Sequence, residues 1–283
     1  MGETSPSDFH VFNYRVALFS LTVLSYCVIL VLNVSLILTI ILDENLHEPM
    51  YICLCILFIN ELYGTTGFFL KFAFDLLSDV HVISYVGCFL QIFVIYSYAF
   101  VDYSFLVLMA YDRYVAIFAL SWLVPLCCAI IGVTLTSTLQ LCGSHIEKLY
   151  CENWAVVKLA CSSTKANEVY GLFVITFYIG HFLFIVGSYV RLVKSALKSR
   201  ESRRKFTQTC VPHLLCLFNV TAALLFDNMY SRYGLASVPV FAVVVSLEFV
   251  MIPPLLNPLI YGLKLPEIRK NIVRMLSCLK SLP

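Results

Sequence analysis

Long apolar runs separated by short polar stretches dominate the chain. Each run holds more than twenty mostly apolar residues, and about 20 such residues are enough for a helix to cross the hydrocarbon core of a bilayer. The runs lie at 16–42, 50–77, 88–117, 119–139, 169–195, 207–230 and 237–262. This pattern predicts an all-α membrane protein in which residues 16–262 form a bundle of seven transmembrane helices.

The amino-acid composition is typical of an integral membrane protein. Of its 283 residues, 60% are hydrophobic and only 13% are charged, with a mean hydropathy of +0.88. Soluble domains are usually about half apolar and about one quarter charged. No nucleophile–base arrangement is evident, and no metal-ligand spacing occurs outside the outer loops. The sequence therefore predicts neither an enzyme nor a metal centre, and we expect no nucleic-acid partner.

Lysine and arginine residues indicate which ends of the spans face the cytoplasm. Clusters of these residues occur at 198–205, between the fifth and sixth runs, and at 264–280, after the seventh. Both clusters fall on one side of a seven-span chain, so residues 1–15 are predicted to be extracellular and 263–283 to form a cytoplasmic tail. Apolar residues at helical spacing in that tail predict a short amphipathic helix on the inner leaflet. Cys278 is either palmitoylated there or unmodified.

Four cysteines fall in or beside the predicted outer segments, which face an oxidising compartment where disulfides persist. They are Cys88, Cys142, Cys151 and Cys161. Four cysteines allow three pairings, and their spacing alone does not choose among them.

Ionisable side chains inside a membrane span are costly and are therefore candidates for function. Glu61 lies near the middle of the second run, and Asp102 lies about 21 Å along a helix from Cys88, at a similar depth. Two bare carboxylates side by side in a low-dielectric interior are prohibitive. We therefore predict a sodium or proton site among Glu61, Asp102, Asn33 and Asn257, and we expect no other cofactor. The competing interpretation is that both acids are protonated and serve only as structural hydrogen-bonding groups.

Several segments, in order along the chain, carry a resemblance to a known family. They are "LHEPMY" (46–51), "MAYDRYVAI" (109–117), "SY" (188–189), "KFTQTCVPHL" (205–214) and "PPLLNPLIYGLK" (253–264). These segments resemble the signatures of odorant receptors, which are rhodopsin-like G-protein-coupled receptors, and most of all those of fish. The resemblance implies a multi-pass receptor of the plasma membrane, surrounded by membrane lipids. It would bind a small odorant and activate a stimulatory heterotrimeric G protein that raises cyclic AMP.

The resemblance also implies roles for individual residues. Those implied in G-protein coupling and activation are Asp112, Arg113, Tyr114, Tyr189, Asn257, Pro258 and Tyr261. The implied disulfides are Cys88–Cys151 and Cys142–Cys161. The inner end of the sixth span, near Lys205 and His213, would move outward to admit the G protein.

The odorant of such a receptor would lie between the outer halves of spans three, five, six and seven. Helical spacing places four residues of the third span on one face, and residues of spans five and six complete the predicted pocket. The pocket residues are Tyr96, Ala99, Phe100, Tyr103, Phe177, Leu225 and Asn228. No strong charge is expected there, which favours a neutral or weakly polar odorant, but Lys71 and Glu248 leave amino-acid-like ligands open. An aromatic stripe of this kind also arises from helix packing alone.

The chain departs from the family pattern between the third and fourth runs. Odorant receptors follow "MAYDRYVAI" with a cysteine, a Pro-Leu pair and a basic loop of roughly twenty residues, whereas here Ile117 is followed directly by "FALSWLVPL". The second intracellular loop is therefore predicted to be missing. Because no residues remain for a connection, we expect the chain to reverse by unwinding residues 114–119.

The missing loop leaves a second interpretation open, a non-signalling receptor-like product that is retained in the endoplasmic reticulum. A third interpretation is a transporter or channel that uses Glu61 and Asp102. The sequence lacks the internal repeat often found in transporters, and the ordered receptor segments disfavour this interpretation.

Overall fold

The protein is almost entirely helical in the computed structural model, which describes residues 6–78, 81–111, 115–146, 150–196, 200–233, 239–265 and 267–271. Within these residues there are seven long helices and one short α-helix, together with a 3-10 helix at Glu44–Leu46 and a helical segment at 267–271. The long helices and the short α-helix are α1 (Pro6–Leu42), α2 (Pro49–Leu77), α3 (Tyr85–Tyr111), α4 (Val115–Ser137), α5 (Asn153–Val157), α6 (Lys165–Ala196), α7 (Arg200–Tyr233) and α8 (Pro239–Lys264). The long helices correspond one to one to the seven predicted spans, and the prediction of an all-α seven-helix bundle is confirmed.

Several described helical segments are long and apolar enough to cross a bilayer. They are Arg15–Leu42, Pro49–Leu77, Tyr85–Met109, Lys165–Arg191 and Val211–Met229, with shorter apolar segments at Ser121–Ser137 and Met251–Leu263. Large apolar side chains such as Val31, Phe74 and Phe218 are exposed on the outward faces of these helices. An apolar outer surface is what a protein needs when lipid, rather than water, surrounds it.

Helix α3 lies at the centre of the bundle, where it contacts α2, α4, α6 and α7. The side chains of Leu57, Phe105 and Leu217 are fully buried in an apolar cluster in the inner half of the bundle. A second apolar cluster in the outer half includes Phe68 and Tyr98. Along α2 and α3, the buried acids Glu61 and Asp102 fall between these two clusters. The fold therefore places these two acids between two apolar layers.

The junction of α3 and α4 differs from the predicted one. We expected residues 114–119 to unwind, but α3 ends at Tyr111 and α4 begins at Val115, so the prediction is wrong for residues 115–119. These residues are apolar, and a helix satisfies their backbone hydrogen-bonding groups where lipid could not. Residues 112–114, which connect the two helices, lie outside the described part of the chain. A three-residue connection is near the short end of the range of about 2–8 residues for neighbouring helices.

Helices α3 and α4 form an antiparallel pair despite this short connection. The ring of Phe105 lies 5.4 Å from that of Trp122 near the inner end. At the outer end, the Tyr85 hydroxyl donates a hydrogen bond to the carbonyl of Ser137 at 3.2 Å. With 23 residues, α4 is about 35 Å long. It can therefore cross the membrane although the loop of the family is missing.

Helix α7 begins earlier than the sequence predicts. The predicted sixth span starts at residue 207, but α7 starts at Arg200, so basic residues expected in a loop belong to its first two turns. Residues 197–199, which separate α7 from α6, lie outside the described residues. The helical backbone of α7 therefore extends beyond the apolar span at its inner end.

The beginning of the cytoplasmic tail packs against the bundle. Residues 267–271 are helical, and Ile268 is fully buried in the inner apolar cluster. The side-chain amide of Asn271 donates a hydrogen bond to Asp43, which follows α1. The start of the predicted amphipathic helix thus contacts protein rather than lipid alone. Cys278 lies outside the described residues.

Replacing Gly64 of α2 by alanine is expected to lower the free energy of unfolding by about 1–3 kcal/mol, the usual cost of overpacking. A Cβ atom at position 64 would lie 2.2 Å from the ring Cγ of Tyr98, so α2 and α3 would have to move apart. The measurement is thermal unfolding of the purified protein. Gly180→Ala is the matched control, because a Cβ at position 180 meets nothing within 4 Å. Equal melting temperatures for the two variants would contradict the close packing at Gly64.

Candidate functional site

A cavity opens in the outer half of the bundle between α3, α6 and α7, beneath α5. Its open space, including the mouth, is about 930 Å³. Six of the seven residues predicted to form a pocket line this cavity, namely Tyr96, Ala99, Phe100, Tyr103, Leu225 and Asn228. Most of the wall is apolar or aromatic with a few polar groups, which is the usual lining of sites for small organic molecules.

Phe177, the seventh predicted pocket residue, does not line the cavity. Its side chain is 38% exposed on the outside of α6, and its ring lies 4.1 Å from that of His181. Its neighbour Tyr178 lines the cavity instead, and the Tyr178 carbonyl accepts a hydrogen bond from the Tyr103 hydroxyl at 3.0 Å. Successive residues of a helix are rotated by about 100° around its axis. A prediction that is wrong by one position along α6 therefore selects a residue on the lipid side instead of one on the cavity side.

The outer loop between α4 and α6 covers the cavity and contains two disulfides. One joins Cys88, near the start of α3, to Cys151. The other joins Cys142 to Cys161 within the loop. The structure thus contains the two pairs that the resemblance implies. We call residues 150–157, which include α5, the lid.

Side-chain hydrogen bonds hold the lid on α3 and α7. The hydroxyl of Tyr150 donates to Asp227 Oδ1 at 3.1 Å, and the hydroxyl of Tyr96 donates to Glu152 Oε1 at 3.1 Å. Burial raises the pKa of the Tyr150 phenol well above its usual value, and the carboxylates of Asp227 and Glu152 raise it further. Tyr150 therefore remains a neutral hydrogen-bond donor.

Two charged residues of α7 at the cavity were missed by the sequence analysis. Asp227 is buried, Arg232 is partly buried, and both line the cavity. The prediction of a pocket without strong charge is therefore wrong. The signal that reveals Arg232 is helical spacing, because Leu225, Asn228 and Arg232 follow one another at intervals of three and four residues. It was missed because the predicted span ends at residue 230.

The predicted ion site is a buried polar cluster between α1, α2, α3 and α8. Its members Asn33, Glu61, Asp102 and Asn257 are fully buried. The Asn257 amide donates to Glu61 Oε1 at 2.6 Å, and the Asn33 amide donates to the carbonyl of Pro254 at 3.0 Å. The carboxyl groups of Asp102 and Glu61 are close enough to interact electrostatically. The structure thus links α1 and α2 separately to α8 and places the two acids near each other.

Several oxygen atoms of this cluster have no hydrogen-bond donor among the described residues. They are Asn33 Oδ1, Asp102 Oδ1, Asp102 Oδ2 and Asn257 Oδ1. Glu61 differs, because its second oxygen accepts from the Tyr98 hydroxyl at 2.9 Å. A buried acceptor without a donor is costly. Oxygen atoms are the preferred ligands of hard cations, and a protonated carboxyl group becomes a donor itself. The cluster therefore fits a sodium ion or a proton.

Near the inner end of the bundle, His213 of α7 bonds to two other helices. Its Nδ1 accepts a hydrogen bond from the hydroxyl of Tyr189 on α6 at 2.6 Å. Its Nε2 lies 2.6 Å from the carbonyl of Leu106 on α3, and Nε2 must be the donor because a carbonyl only accepts. The ring of Tyr261 on α8 packs edge-on against Phe58 at 6.3 Å. These contacts join α3, α6 and α7 through His213, and α2 and α8 through Tyr261, on the side where partner coupling is expected.

Not all predicted residues are placed by the structure. Pro258 lies inside α8, one residue after Asn257. Lys71 pairs with Asp75 on α2 and does not line the cavity. The coupling residues Asp112, Arg113 and Tyr114 and the side chain of Glu248 lie outside what the structure describes.

Comparisons with known proteins agree on one family. A family model described as olfactory receptor matches residues 22–279. Human olfactory receptor 52J3 is 30% identical over an alignment of 271 positions that covers 88% of this chain and 86% of that receptor. Human olfactory receptor 52P1 is 33% identical over an alignment that covers 86% of this chain and 83% of that receptor. These relatives are human, and the likeness to fish receptors remains a prediction.

The alignment with olfactory receptor 52J3 also shows that this chain is shorter within the matched region. The matched 88% of 283 residues amounts to about 249 residues, against 271 aligned positions. About 22 positions of the alignment therefore have no counterpart here. This shortfall has the size of the loop that the sequence lacks after Ile117.

The fold has a counterpart among solved structures. The crystal structure of squid rhodopsin superimposes with a TM-score of 0.71 at 13% sequence identity, covering 95% of this chain and 87% of that one. At this identity the likeness concerns the fold. It agrees with the seven-helix bundle seen here.

Proposed function

The chain belongs to the olfactory receptor family, and from this membership we propose that an odorant bound beneath the lid makes it activate a stimulatory heterotrimeric G protein, which raises cyclic AMP. Membership makes the chain an odorant-sensing G-protein-coupled receptor and a multi-pass membrane protein, in a family of signalling receptors rather than enzymes. The stimulatory G protein, cyclic AMP, the plasma membrane and the extracellular N-terminus are the parts that we propose.

The main support for the proposal is that the cavity lies close, along α3, to the hydrogen bonds of His213 in the inner half of the bundle. Tyr103 lines the cavity and donates to the backbone of Tyr178, which links α3 to α6. Leu106 lies three residues further along α3 and accepts the hydrogen bond from His213 of α7. A ligand that displaces Tyr103 would therefore move α3 at a point close to Leu106. Three residues are less than one helical turn, and Leu106 accepts the hydrogen bond that connects α3 to the inner part of α7.

The lid supports the proposed orientation in the membrane. Both disulfides lie in the outer loop or at the adjoining end of α3, and disulfides persist in the oxidising compartments that face the outside of the cell. The basic first turns of α7 lie at the opposite end of the bundle, as the preference of lysine and arginine for the cytoplasmic side requires. These placements support the proposal that the N-terminus lies on the outside of the cell.

Surface staining combined with a cyclic AMP assay tests this proposal. The chain is expressed with an N-terminal epitope beside a version that carries a family-type loop between Ile117 and Phe118. We expect both to stain on unpermeabilised cells, because α4 is long enough to span by itself. We expect odorant-dependent cyclic AMP from both, with a weaker response from the natural chain, since Arg113 falls in its three-residue connection.

Two controls make the outcome decisive. A C-terminal epitope should stain only after permeabilisation, and staining of intact cells at that epitope would contradict the orientation. Surface staining of the loop-bearing version alone would mean that the natural chain is retained inside the cell and does not signal. Surface expression without any cyclic AMP response to a broad odorant panel would contradict the proposed G protein.

We also propose that the buried cluster of Asn33, Glu61, Asp102 and Asn257 binds a sodium ion. The four oxygen atoms without donors support this proposal, since an ion would supply what they lack. A sodium ion there would contact helices α1, α3 and α8 at once. It would therefore stabilise the packing of these three helices against one another.

A further inference from the structure

The lid closes the cavity on the side that faces water. Trp154 of the lid lines the cavity, and the guanidinium carbon of Arg232 lies 4.2 Å from the centroid of its ring. The backbone N–H of Cys151 donates to Gln91 Oε1 of α3 at 2.9 Å. These contacts add to the disulfide and the hydrogen bonds that hold the lid. A molecule that arrives from water must therefore displace a part of the chain that is attached at several points.

On the membrane side, the wall of the cavity is thinner. Ile179 of α6 lines the cavity, yet its side chain is 38% exposed. Among the described residues that line the cavity, it is the only exposed one, and the others are buried or partly buried. A single layer of side chains therefore separates the cavity from lipid at Ile179.

Helical geometry shows which neighbour Ile179 faces. Helix α6 packs against both α4 and α7. The hydroxyl of Tyr170 donates to the carbonyl of Cys128 on α4, so Tyr170 marks the α4 side of α6. Ile179 follows nine residues later, and nine steps of about 100° leave it about 180° from Tyr170 around the helix axis. Ile179 therefore lies on the side of α6 away from α4, at the boundary with α7.

Leu225 occupies the corresponding position on α7. Cys216 of α7 interacts with Tyr261 of α8, and Leu225 follows nine residues later, on the opposite side of the helix and towards α6. Leu225 lines the cavity and is partly buried. Its neighbours Phe226 and Met229 are exposed on the outward face of α7. Leu225 therefore lies between the cavity and an apolar surface that faces lipid.

Ile179 and Leu225 lie at the same depth. A Cβ at position 171 would overlap the guanidinium group of Arg232, so Gly171 of α6 and Arg232 of α7 are adjacent. From this contact towards the inner end, Ile179 lies eight residues along α6 and Leu225 lies seven residues along α7, about 12 and 11 Å. The two apolar side chains therefore lie side by side in the gap between the helices.

The contacts at this gap are easier to open than those of the lid. A hydrogen bond joins α6 to α7 at Tyr189 and His213, but Tyr189 lies ten residues beyond Ile179, about 15 Å further in. Lipid chains are as apolar as leucine, so Ile179 and Leu225 lose little when they exchange contact with each other for contact with lipid. Opening the lid instead breaks polar contacts and is limited by its disulfide to α3.

We propose that the odorants of this receptor are neutral, lipid-soluble molecules that enter the cavity from the bilayer, between Ile179 and Leu225. This inference rests on the proposed function, since it names the class of odorant and the route that it takes. A lipid-soluble odorant is concentrated in the bilayer, so the receptor would respond to its concentration there rather than in water. Ile175 and Leu224 also line the cavity near this gap and offer the entering molecule an apolar surface.

Three neutral ketones of increasing length test the route: 2-pentanone, 2-heptanone and 2-nonanone. Their binding is followed by stopped-flow tryptophan fluorescence on the purified chain in lipid nanodiscs, with Trp122→Phe so that Trp154 alone reports. Each added pair of CH2 groups raises partitioning into lipid about 10- to 15-fold. We expect the association rate constant, calculated from the concentration in water, to rise by the same factor at each step. Entry from water would leave this rate constant unchanged and lengthen only the residence time.

Variants locate the route at the gap between α6 and α7. Ile179→Ala should accelerate association and dissociation of 2-heptanone alike, by about tenfold, because a smaller side chain lowers the barrier in both directions. Leu225→Phe should slow both rates by a similar factor, and in both variants the dissociation constant should change much less than the rates. Val174→Ala is the matched control, because Val174 lines the same cavity but is turned about 140° from Ile179 around α6. It should change the dissociation constant through the dissociation rate alone.

The outcomes separate this inference from the proposed function. If the three ketones associate at equal rates, or if Ile179→Ala and Leu225→Phe alter dissociation alone, entry from the bilayer is wrong while odorant detection stands. Failure of all three ketones to bind also overturns the inference, because the cavity then does not take neutral lipid-soluble molecules. The cyclic AMP response to the broad odorant panel decides odorant detection separately.

Discussion

A chain with serine in place of both Cys88 and Cys151 is expected to lose the lid from the cavity while keeping its seven helices. The disulfide links residues 63 positions apart, and closing a loop of that length contributes about 4 kcal/mol in the chain-entropy treatment. The transmembrane helices remain inserted in lipid, so the loss falls on the lid. We expect ligand affinity in the cavity to fall by about tenfold or more.

The second disulfide provides the matched control. Cys142 and Cys161 are only 19 positions apart, for which the same treatment gives about 3 kcal/mol. Two backbone hydrogen bonds of 2.9 Å, from Cys142 N–H to Leu159 and from Cys161 N–H to Gln140, hold the same segment without the disulfide. Serine at both of these positions should therefore leave the lid in place.

Fluorescence of Trp154 distinguishes the two variants. The chain has two tryptophans, and Trp122→Phe leaves Trp154 in the lid as the only emitter. Loss of the Cys88–Cys151 bond should shift its emission to longer wavelength as water reaches the indole, and loss of the Cys142–Cys161 bond should not. A shift of equal size in both variants would mean that the first disulfide does not hold the lid.

The bundle could be predicted from the sequence because lipid imposes a simple requirement. Every span needs about 20 apolar residues, and all seven such runs became helices. The requirement does not define the ends of the helices, since polar residues can continue a helix beyond the membrane. Helix α7 therefore begins at Arg200 rather than 207. Helix α4 begins at Val115 rather than 119 for a different reason, because the apolar residues 115–118 had been assigned to the end of the third span and to its unwound end.

The sequence predicted the cavity face of α3 but not that of α6. Intervals of three, one and three positions place residues on one side of a helix, and these are the intervals between Tyr96, Ala99, Phe100 and Tyr103. Lipid is as apolar as a protein core, and in the apolar part of α6 only 6% of residues are buried. Hydrophobicity therefore could not distinguish Phe177, on the lipid side, from Tyr178, on the cavity side.

The lid and its charges depend on contacts between distant residues. Tyr150 and Asp227 are 77 positions apart, and no local pattern shows that they meet. Arg232 at the cavity contacts two other segments, because its guanidinium carbon lies 4.2 Å from the centroid of the Trp154 ring and a Cβ at position 171 would meet its guanidinium group. Such contacts follow from the packed structure, and the chemistry of the cavity mouth could not be predicted without it.

Substitution of the buried acid Glu61 is expected to destabilise the protein much more than substitution of the buried acid Asp102. Glu61→Leu leaves the Tyr98 hydroxyl and the Asn257 amide, which donate to it at 2.9 and 2.6 Å, without acceptors. Each buried unpaired group costs about 1–3 kcal/mol, so the free energy of unfolding should fall by about 2–6 kcal/mol. Asp102→Asn removes a carboxylate that has no donor among the described residues, and its cost should be small when sodium is absent.

Thermal unfolding in NaCl and in choline chloride of equal ionic strength separates these effects. A sodium ion that binds only the folded chain adds roughly 2.7 kcal/mol at a hundredfold excess over its Kd, so the natural protein should melt higher in NaCl. Asp102→Asn should abolish this difference because its carboxylate is the charge that holds the ion. Glu61→Leu should be destabilised in both salts. If the natural protein melts alike in both salts and its stability instead depends on pH, the two acids share a proton and the sodium site is wrong.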